Sequence, residues 1–185
     1  YLAVLFIPLL FVVIYLYKQA PDLFARRMKM KEKAGEQSAI LKLAQLAVLV
    51  AFLLPGFDRR FEWSQAPVGV VIAADVLVLL GYLVVFLTMR ENRYASRVVE
   101  VTAEQQVIRS GPYAVVRHPL YLGMLLMVLF SALGLGSYWA LIPAALLLPA
   151  LVLRIRSEEK ILAGGLKGYT EYKQQVRWRL VPGVW

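Results

Sequence analysis

Cysteine is absent from this sequence, and histidine occurs once in 185 residues, at His118. Without cysteine the chain has no disulfide bonds, no thiolate metal sites and no thiol catalysis. A lone histidine, with no cluster of acidic residues beside it, also argues against a metal ion held by protein ligands. The glycine-rich turn between a strand and a helix, which soluble cofactor-binding folds use, is missing as well.

Apolar residues, in contrast, make up 60% of the chain. Five long apolar runs are present, over residues 2–17, 39–54, 68–89, 119–136 and 138–155. A helix needs about 17–25 residues to cross a hydrocarbon core of roughly 30 Å. The sequence therefore predicts an all-α membrane protein with about five transmembrane helices. Because only Ser137 separates the last two runs, they are expected to form a tight helical hairpin. Pro143 and Pro149 lie inside the last run and are expected to kink its helix.

Lysine and arginine are distributed unevenly between the apolar runs. Residues 18–42 carry seven of them, 55–67 two, 90–118 five, 136–138 none and 154–185 seven. Cytoplasmic loops of membrane proteins are enriched in these residues, so the alternation places the N-terminal end outside and residues 90–118 and the tail in the cytoplasm. The formal net charge of +9 is then explained by topology and by contact with anionic membrane lipids, without nucleic acid as a partner.

The pattern divides the chain into two regions. Residues 1–89 hold three predicted spans, and residues 90–185 hold a polar loop, the hairpin and a C-terminal tail. The loop, residues 90–117, has no helical period and is expected to be an irregular lid. Asp75 is the single acidic residue inside a span, which makes it either a structural partner or a functional group. The sequence begins at Tyr1 rather than at a methionine, and we expect further residues to precede it.

Two polar clusters adjoin the hairpin. His118 precedes Pro119, so it is expected at the N-terminus of a helix on the cytoplasmic surface, where free N–H groups can bind an anion. Arg154 and Glu158 are four residues apart and share a helix face at the other end of the hairpin. Arg156 and Glu159, three residues apart, share another face. Since a hairpin returns to its starting level, Arg154 and Glu158 are expected near His118 and Tyr121.

These motifs together resemble the isoprenylcysteine carboxyl methyltransferase family, which includes small prokaryotic relatives and is similar to phospholipid N-methyltransferases. The resemblance covers about residues 90–182 and consists of motifs in the right order. They are Gly111-Pro112-Tyr113, Arg117-His118-Pro119-x-Tyr121-x-Gly123, Arg154-x3-Glu158-Glu159-x2-Leu162 and Tyr169-x2-Tyr172.

The resemblance implies an integral, multi-pass membrane enzyme, in a prokaryotic plasma membrane, that takes S-adenosylmethionine from the cytoplasm. It implies a lipophilic acceptor that arrives through the bilayer and is methylated on a carboxylate. Arg154 corresponds to the residue that holds the acceptor's reacting group, and Glu158 is the second catalytic candidate. The residues that the resemblance assigns to the cofactor are Gln105, Gln106, Val107, Ile108, Tyr113, His118, Pro119, Leu120, Tyr121 and Glu158.

The chemistry agrees with a carboxylate acceptor, because methyl transfer to a carboxylate needs alignment and exclusion of water but no strong base. An amine acceptor, as in a phospholipid N-methyltransferase, would need a proton acceptor, for which Glu159 is the candidate. Two further alternatives are a sterol-reductase-like NADPH oxidoreductase, which shares an Arg-His-Pro-x-Tyr element, and a non-catalytic membrane adaptor. The sequence gives no indication of the oligomeric state.

Overall fold

The computed structural model describes residues 1–28, 36–95 and 105–185, and all regular structure in these ranges is helical. The α-helices are α1 (Leu2–Gln19), α2 (Pro21–Met28), α3 (Glu36–Phe61), α4 (Val68–Glu91), α5 (Pro119–Gly134), α6 (Leu141–Ala145), α7 (Leu147–Gly165) and α8 (Tyr169–Gln175). A short 3-10 helix, Gly111–Ala114, lies in the lid. The predicted all-α class is confirmed for the described residues.

Two of the described helices, α1 and α4, are long and apolar enough to cross a membrane, and α5 is a shorter apolar helix. The second apolar run lies within α3, and the fifth is divided between α6 and α7. The count of five transmembrane helices therefore stays a prediction. The lid is irregular from residue 105 to 110, as predicted, and residues 96–104 lie outside the described part of the chain.

The interruption between α6 and α7 follows from two prolines. Pro149 is the third residue of α7 and has no N–H to donate to the carbonyl four residues earlier, so a helix entering from α6 cannot continue regularly. The N–H of Leu146 instead bonds to the carbonyl of Pro143 at 3.2 Å, in a tighter turn. A kink at these prolines was expected from the sequence.

Helices α4 and α5 make the most extensive contact between two helices in the described part of the chain, and glycine permits their close approach. A Cβ on Gly123 would lie 2.7 Å from Val85 Cγ2 and 2.8 Å from the carbonyl oxygen of Gly81. A Cβ on Gly81 would lie 2.9 Å from the carbonyl oxygen of Gly123 and 2.8 Å from Met127 Cγ. Small residues let helix backbones approach in this way. Gly123, the last residue of the His-Pro motif, therefore serves helix packing.

At the opposite end of α5 from the His-Pro motif, Asp58 joins the end of α3 to the turn of the hairpin. Its buried carboxylate accepts hydrogen bonds from the Ser64 amide at 2.7 Å, from the Ser64 hydroxyl at 2.5 Å and from the Ser137 hydroxyl. Nothing in the sequence pattern indicates a role for Asp58. Ser137, the residue between the last two apolar runs, is thus a fixed part of the turn.

Asp75 packs against the last turn of α5. A Cβ on Gly134 would lie 2.7 Å from Asp75 Oδ1, and this oxygen makes no hydrogen bond to any described residue. Nearby, the Tyr1 hydroxyl donates to Ser131 Oγ at 2.5 Å. Both roles expected for Asp75 stay predictions.

We predict that Gly123→Ala lowers the stability of the protein by about 1–3 kcal/mol, because the added methyl group meets backbone and must separate α4 from α5. Gly69→Ala is the matched control, since a Cβ there has no neighbour within 4 Å. The measurement is the melting temperature of each detergent-solubilised variant. Equal melting temperatures for the two variants would contradict the close approach described here.

Candidate functional site

A cleft opens where the end of α4, the lid, the start of α5, and the helices α7 and α8 meet. It contains about 810 Å³ of space, part of which is open solvent. Because this space includes open solvent, the residues that line the cleft, and not its volume, indicate which ligand it can take.

Nine of the ten residues predicted to contact the cofactor line this cleft. They are Gln105, Gln106, Val107, Ile108, Tyr113, His118, Leu120, Tyr121 and Glu158. Pro119 is buried as the first residue of α5 and does not line the cleft; it sets the direction of the helix instead. Arg154 also lies outside the lining, beside the cleft. The roles of these residues as ligands stay predictions.

Other lining residues were missed. Asn92, Tyr94 and Ala95 follow α4 and line one wall, and nothing in the sequence pattern marked them. The pair Tyr169 and Tyr172 on α8 forms another wall. Their spacing was noticed as part of the resemblance, but no contact was assigned to them.

Tyr113 fixes the lid between two helices. Its hydroxyl accepts a hydrogen bond from Asn92 Nδ2 at 2.8 Å, and its carbonyl accepts one from the Tyr172 hydroxyl at 2.8 Å. Burial, reinforced by the charge of Glu158, raises the pKa of Tyr113 to about 12 despite the hydrogen bond from Asn92. The Tyr113 hydroxyl is therefore neutral at physiological pH.

The outer face of the lid is also bound to its neighbours. The Ser110 hydroxyl donates to the carboxylate of Glu91 at the end of α4. Arg109 donates to the carbonyl of Gly168 at 3.2 Å and to Gln175 Oε1 at 3.3 Å, on either side of α8. These contacts hold the described part of the lid over the cleft.

Tyr121 connects the cleft to Arg154. Its hydroxyl donates to Glu158 Oε2 at 2.7 Å, and Arg154 Nε donates to the same hydroxyl at 3.4 Å. The predicted approach of the two ends of the hairpin is confirmed by this geometry. Glu158 faces the cleft, and the Tyr121 hydroxyl lies between Glu158 and Arg154.

Glu159 has a different environment from the one expected. It is buried, with 5% of its surface exposed, and it pairs with Arg117 Nε at 2.7 Å and Arg179 Nε at 3.0 Å. The helix-face partner considered from the sequence, Arg156, is exposed. Because Arg117 and Arg179 lie 42 and 20 residues away along the chain, no local pattern could have indicated these pairs.

Burial by itself would raise the pKa of the Glu159 carboxyl, but the neighbouring His118, Arg179 and Arg117 side chains outweigh burial and lower it to about 2. A carboxylate with so low a pKa is a poor proton acceptor, and Glu159 does not line the cleft. This environment therefore disfavours Glu159 as the base for an amine acceptor.

Residues 70–167 match the family described as phospholipid methyltransferase. This segment is more than half of the 185 residues and includes the described lid, the hairpin and Glu158. The chain belongs to the phospholipid methyltransferase family. That family is part of the isoprenylcysteine carboxyl methyltransferase-like group of membrane methyltransferases, so the resemblance stated from the motifs is confirmed. No match was found among curated proteins.

Membership of the phospholipid methyltransferase family indicates a membrane methyltransferase. The family match names a methyltransferase and so favours it over the reductase and adaptor alternatives. The matched residues stop at 167, before α8, although Tyr169 and Tyr172 line the cleft. The cleft therefore extends beyond the segment that carries the family pattern.

We predict a loss of stability in acid that depends on Glu159. Its pKa is about 2 in the folded protein against 4.5 ordinarily, so its stabilising contribution is complete above about pH 4.5 and disappears as the pH falls towards 2. Within that window the contribution of Glu159 to the free energy of unfolding decreases by about 1.4 kcal/mol for each pH unit. The melting temperature of Glu159→Gln should therefore fall less than that of the wild type when both are measured from pH 6 to pH 2.5.

The control for this comparison is Glu171→Gln, which makes the same chemical change at an exposed position on α8. It should retain the acid dependence of the wild type. Parallel profiles for the wild type and Glu159→Gln would contradict the prediction.

Proposed function

We propose that this protein is an S-adenosylmethionine-dependent integral membrane methyltransferase that transfers a methyl group to a carboxylate on a lipophilic acceptor. The observation that carries the proposal is the cleft, in which the described lid, the start of α5, and Glu158 come together. Family membership supports the methyltransferase chemistry. The cofactor and the carboxylate acceptor are what the proposal adds.

The polar groups of the cleft suit S-adenosylmethionine. Glu158 offers a carboxylate to an ammonium group or to ribose hydroxyls. The Tyr169 hydroxyl is buried and makes no hydrogen bond to any described residue, so it is available to a ligand. Tyrosine faces attract a cation such as a sulfonium, and Val107 and Ile108 supply apolar surface for adenine. In this proposal His118 and the N-terminus of α5 receive the carboxylate of the cofactor.

When bound, S-adenosylmethionine supplies an electrophilic methyl group. The protein's part is to align the acceptor and to exclude water. Arg154 presents a planar guanidinium that can hold a carboxylate through two parallel hydrogen bonds. Tyr121 bonds to both Arg154 and Glu158, so it sets the distance between the acceptor subsite and the cofactor cleft. The described part of the lid covers the cleft in which the proposed reaction takes place.

A phospholipid amine is the second candidate acceptor, because the family's description names phospholipids. Two observations favour the carboxylate. Arg154 beside Tyr121 would repel a protonated amine, and Glu159 is committed to two arginines and takes up no proton near neutral pH. The products differ chemically, since a methyl ester releases methanol in mild alkali and an N-methyl group does not. Lipid extracts labelled with a heavy methyl donor therefore distinguish the two acceptors.

We also propose a multi-pass protein with five spans, whose cleft faces the cytoplasm of a prokaryotic plasma membrane. The alternation of basic residues supports it, and the chain without cysteine permits a direct test. Gln65→Cys and Thr170→Cys place single thiols at exposed positions, one after α3 and one on α8. Ser137, in the turn of the hairpin, is unsuitable as a labelling position because it is buried against Asp58.

An impermeant thiol reagent added to intact cells should label Gln65→Cys and leave Thr170→Cys unlabelled until the cells are opened. The two variants should differ in labelling because the proposed topology places their thiols on opposite sides of the membrane. Labelling of Thr170→Cys in intact cells, with Gln65→Cys protected, would reverse the proposed orientation.

We predict that His118→Ala and Glu158→Ala each weaken the binding of S-adenosylhomocysteine by ten-fold or more. A contact assisted by charge contributes about 1.5–3 kcal/mol, which corresponds to roughly 10–150-fold in affinity. Isothermal titration of the detergent-solubilised protein provides the measurement, with Glu171→Ala, an exposed residue on α8, as the control. Wild-type affinity in both cleft variants, with melting temperatures unchanged, would remove the proposed cofactor site.

We predict that Arg154→Lys and Arg154→Ala nearly abolish turnover while the affinity for S-adenosylhomocysteine stays within about three-fold of the wild type. Arg154 lies outside the cleft lining, and lysine cannot reproduce the planar fork that aligns a carboxylate. Turnover is measured as transfer of a labelled methyl group to the lipid extract. Loss of cofactor affinity in step with activity would show instead that Arg154 supports the cofactor cleft, and full activity of Arg154→Ala would exclude it from acceptor binding.

A further inference from the structure

Three charged side chains meet beside the cleft, next to His118: Arg117, Glu159 and Arg179, hereafter the Glu159 cluster. One carboxylate oxygen of Glu159 accepts from Arg117 Nε at 2.7 Å and the other from Arg179 Nε at 3.0 Å. Arg117, His118 and Glu159 each expose 6% or less of their surface. A buried ion pair is costly to break, because the remaining partner stays charged and desolvated.

The cluster joins three segments that are far apart in the sequence. Glu159 comes from α7, and His118 caps the start of α5. Arg179 belongs to the segment after α8, which pairs with the chain before α5 through the backbone. The N–H of Arg117 bonds to the carbonyl of Trp178, and that of His118 to the carbonyl of Arg179, both at 2.9 Å. The Arg117 guanidinium adds bonds to the carbonyls of Val176 and Arg177 at 2.7 and 3.0 Å.

The imidazole of His118 lies between this cluster and the cleft. Its Nε2 is 3.4 Å from Glu159 Oε1, and its ring stacks on Tyr121 with centroids 5.8 Å apart and planes inclined by 25°. His118 lines the cleft and Glu159 does not. Glu159 therefore stands behind the ring, on the side away from a ligand.

We propose that Glu159 is a positioning residue: held by Arg117 and Arg179, it fixes the His118 imidazole in the cleft and makes the segment after α8 part of the cofactor site. The effect on the cofactor rests on the proposed function, whereas the effect on the ring does not. Glu159 acts through His118 and touches no reacting atom. Its loss should impair cofactor binding more than the methyl-transfer step.

The single histidine makes the test direct, because protein labelled with ¹⁵N- and ¹³C-histidine gives imidazole signals from His118 alone. Glu159→Gln keeps the shape of the side chain and removes its charge. We expect the His118 signals to move, and the dissociation constant of S-adenosylhomocysteine to rise at least ten-fold. We expect the KM for S-adenosylmethionine to rise in parallel, with kcat at saturation within about three-fold of the wild type. Glu171→Gln, the exposed control on α8, should change none of these values.

Arg179→Gln is the second variant, for use where Glu159→Gln does not fold. Arg179 is the more exposed partner, with 33% of its side chain accessible, so its removal leaves the Arg117 pair in place. It should move the His118 signals and weaken cofactor binding by a smaller factor than Glu159→Gln.

Two results would overturn the proposal. One is a folded Glu159→Gln protein whose His118 signals coincide with those of the wild type. The other is moved signals with unchanged affinity for S-adenosylhomocysteine. A lower melting temperature alone, without either change, would assign Glu159 a purely structural role. If the wild type itself binds no S-adenosylhomocysteine, the proposed function fails, while moved His118 signals in Glu159→Gln still support the positioning of the ring.

Discussion

The pairing of the buried Glu159 carboxylate with two arginines is the interaction on which the end of the molecule that carries the cleft depends. A charge with so little exposure is tolerated only with close partners of opposite sign, and both of its oxygens have an arginine partner. Because these partners come from before α5 and after α8, three distant segments must meet at one point. The part of the cleft next to Glu159 forms because these three segments meet there.

The contact between α4 and α5 supplies the frame for this arrangement. With Gly81 and Gly123 facing each other, the backbones approach so closely that the end of α4 lies beside the start of α5. Asn92, just after α4, then reaches Tyr113 in the lid at 2.8 Å. Helix packing inside the apolar layer thus determines a polar contact in the cleft, and a larger residue at either glycine would disturb both.

Sequence alone predicted the helical class, the break at the two prolines and nine of the lining residues, because these depend on composition, local chemistry or a motif. It did not predict Asn92, Asp58 or the partners of Glu159. Their contacts join residues that are 20 or more positions apart in the sequence or depend on the path of a loop. The periodicity of a sequence predicts contacts within one helix and not contacts over such separations. The spacing along the helix predicted Arg156 as the partner of Glu159. Arg117 and Arg179 pair with Glu159 instead, because together they satisfy both oxygens of its buried carboxylate.

The first turn of α5 explains why a polar cofactor and a lipophilic acceptor can meet in the proposed reaction. Leu120 lines the cleft and also packs against an apolar cluster that includes residues of α1, α2 and α4. Tyr121 likewise lines the cleft and packs against the apolar cluster shared by α3, α5 and α7. Only one turn of helix therefore separates the cleft from the hydrocarbon-like interior. In the proposed reaction, an acceptor with an apolar chain would leave that chain among the helices while its charged end reached Arg154. The hydrogen bonds from Arg154 to Tyr121 and from Tyr121 to Glu158 would then define the distance between the two substrates.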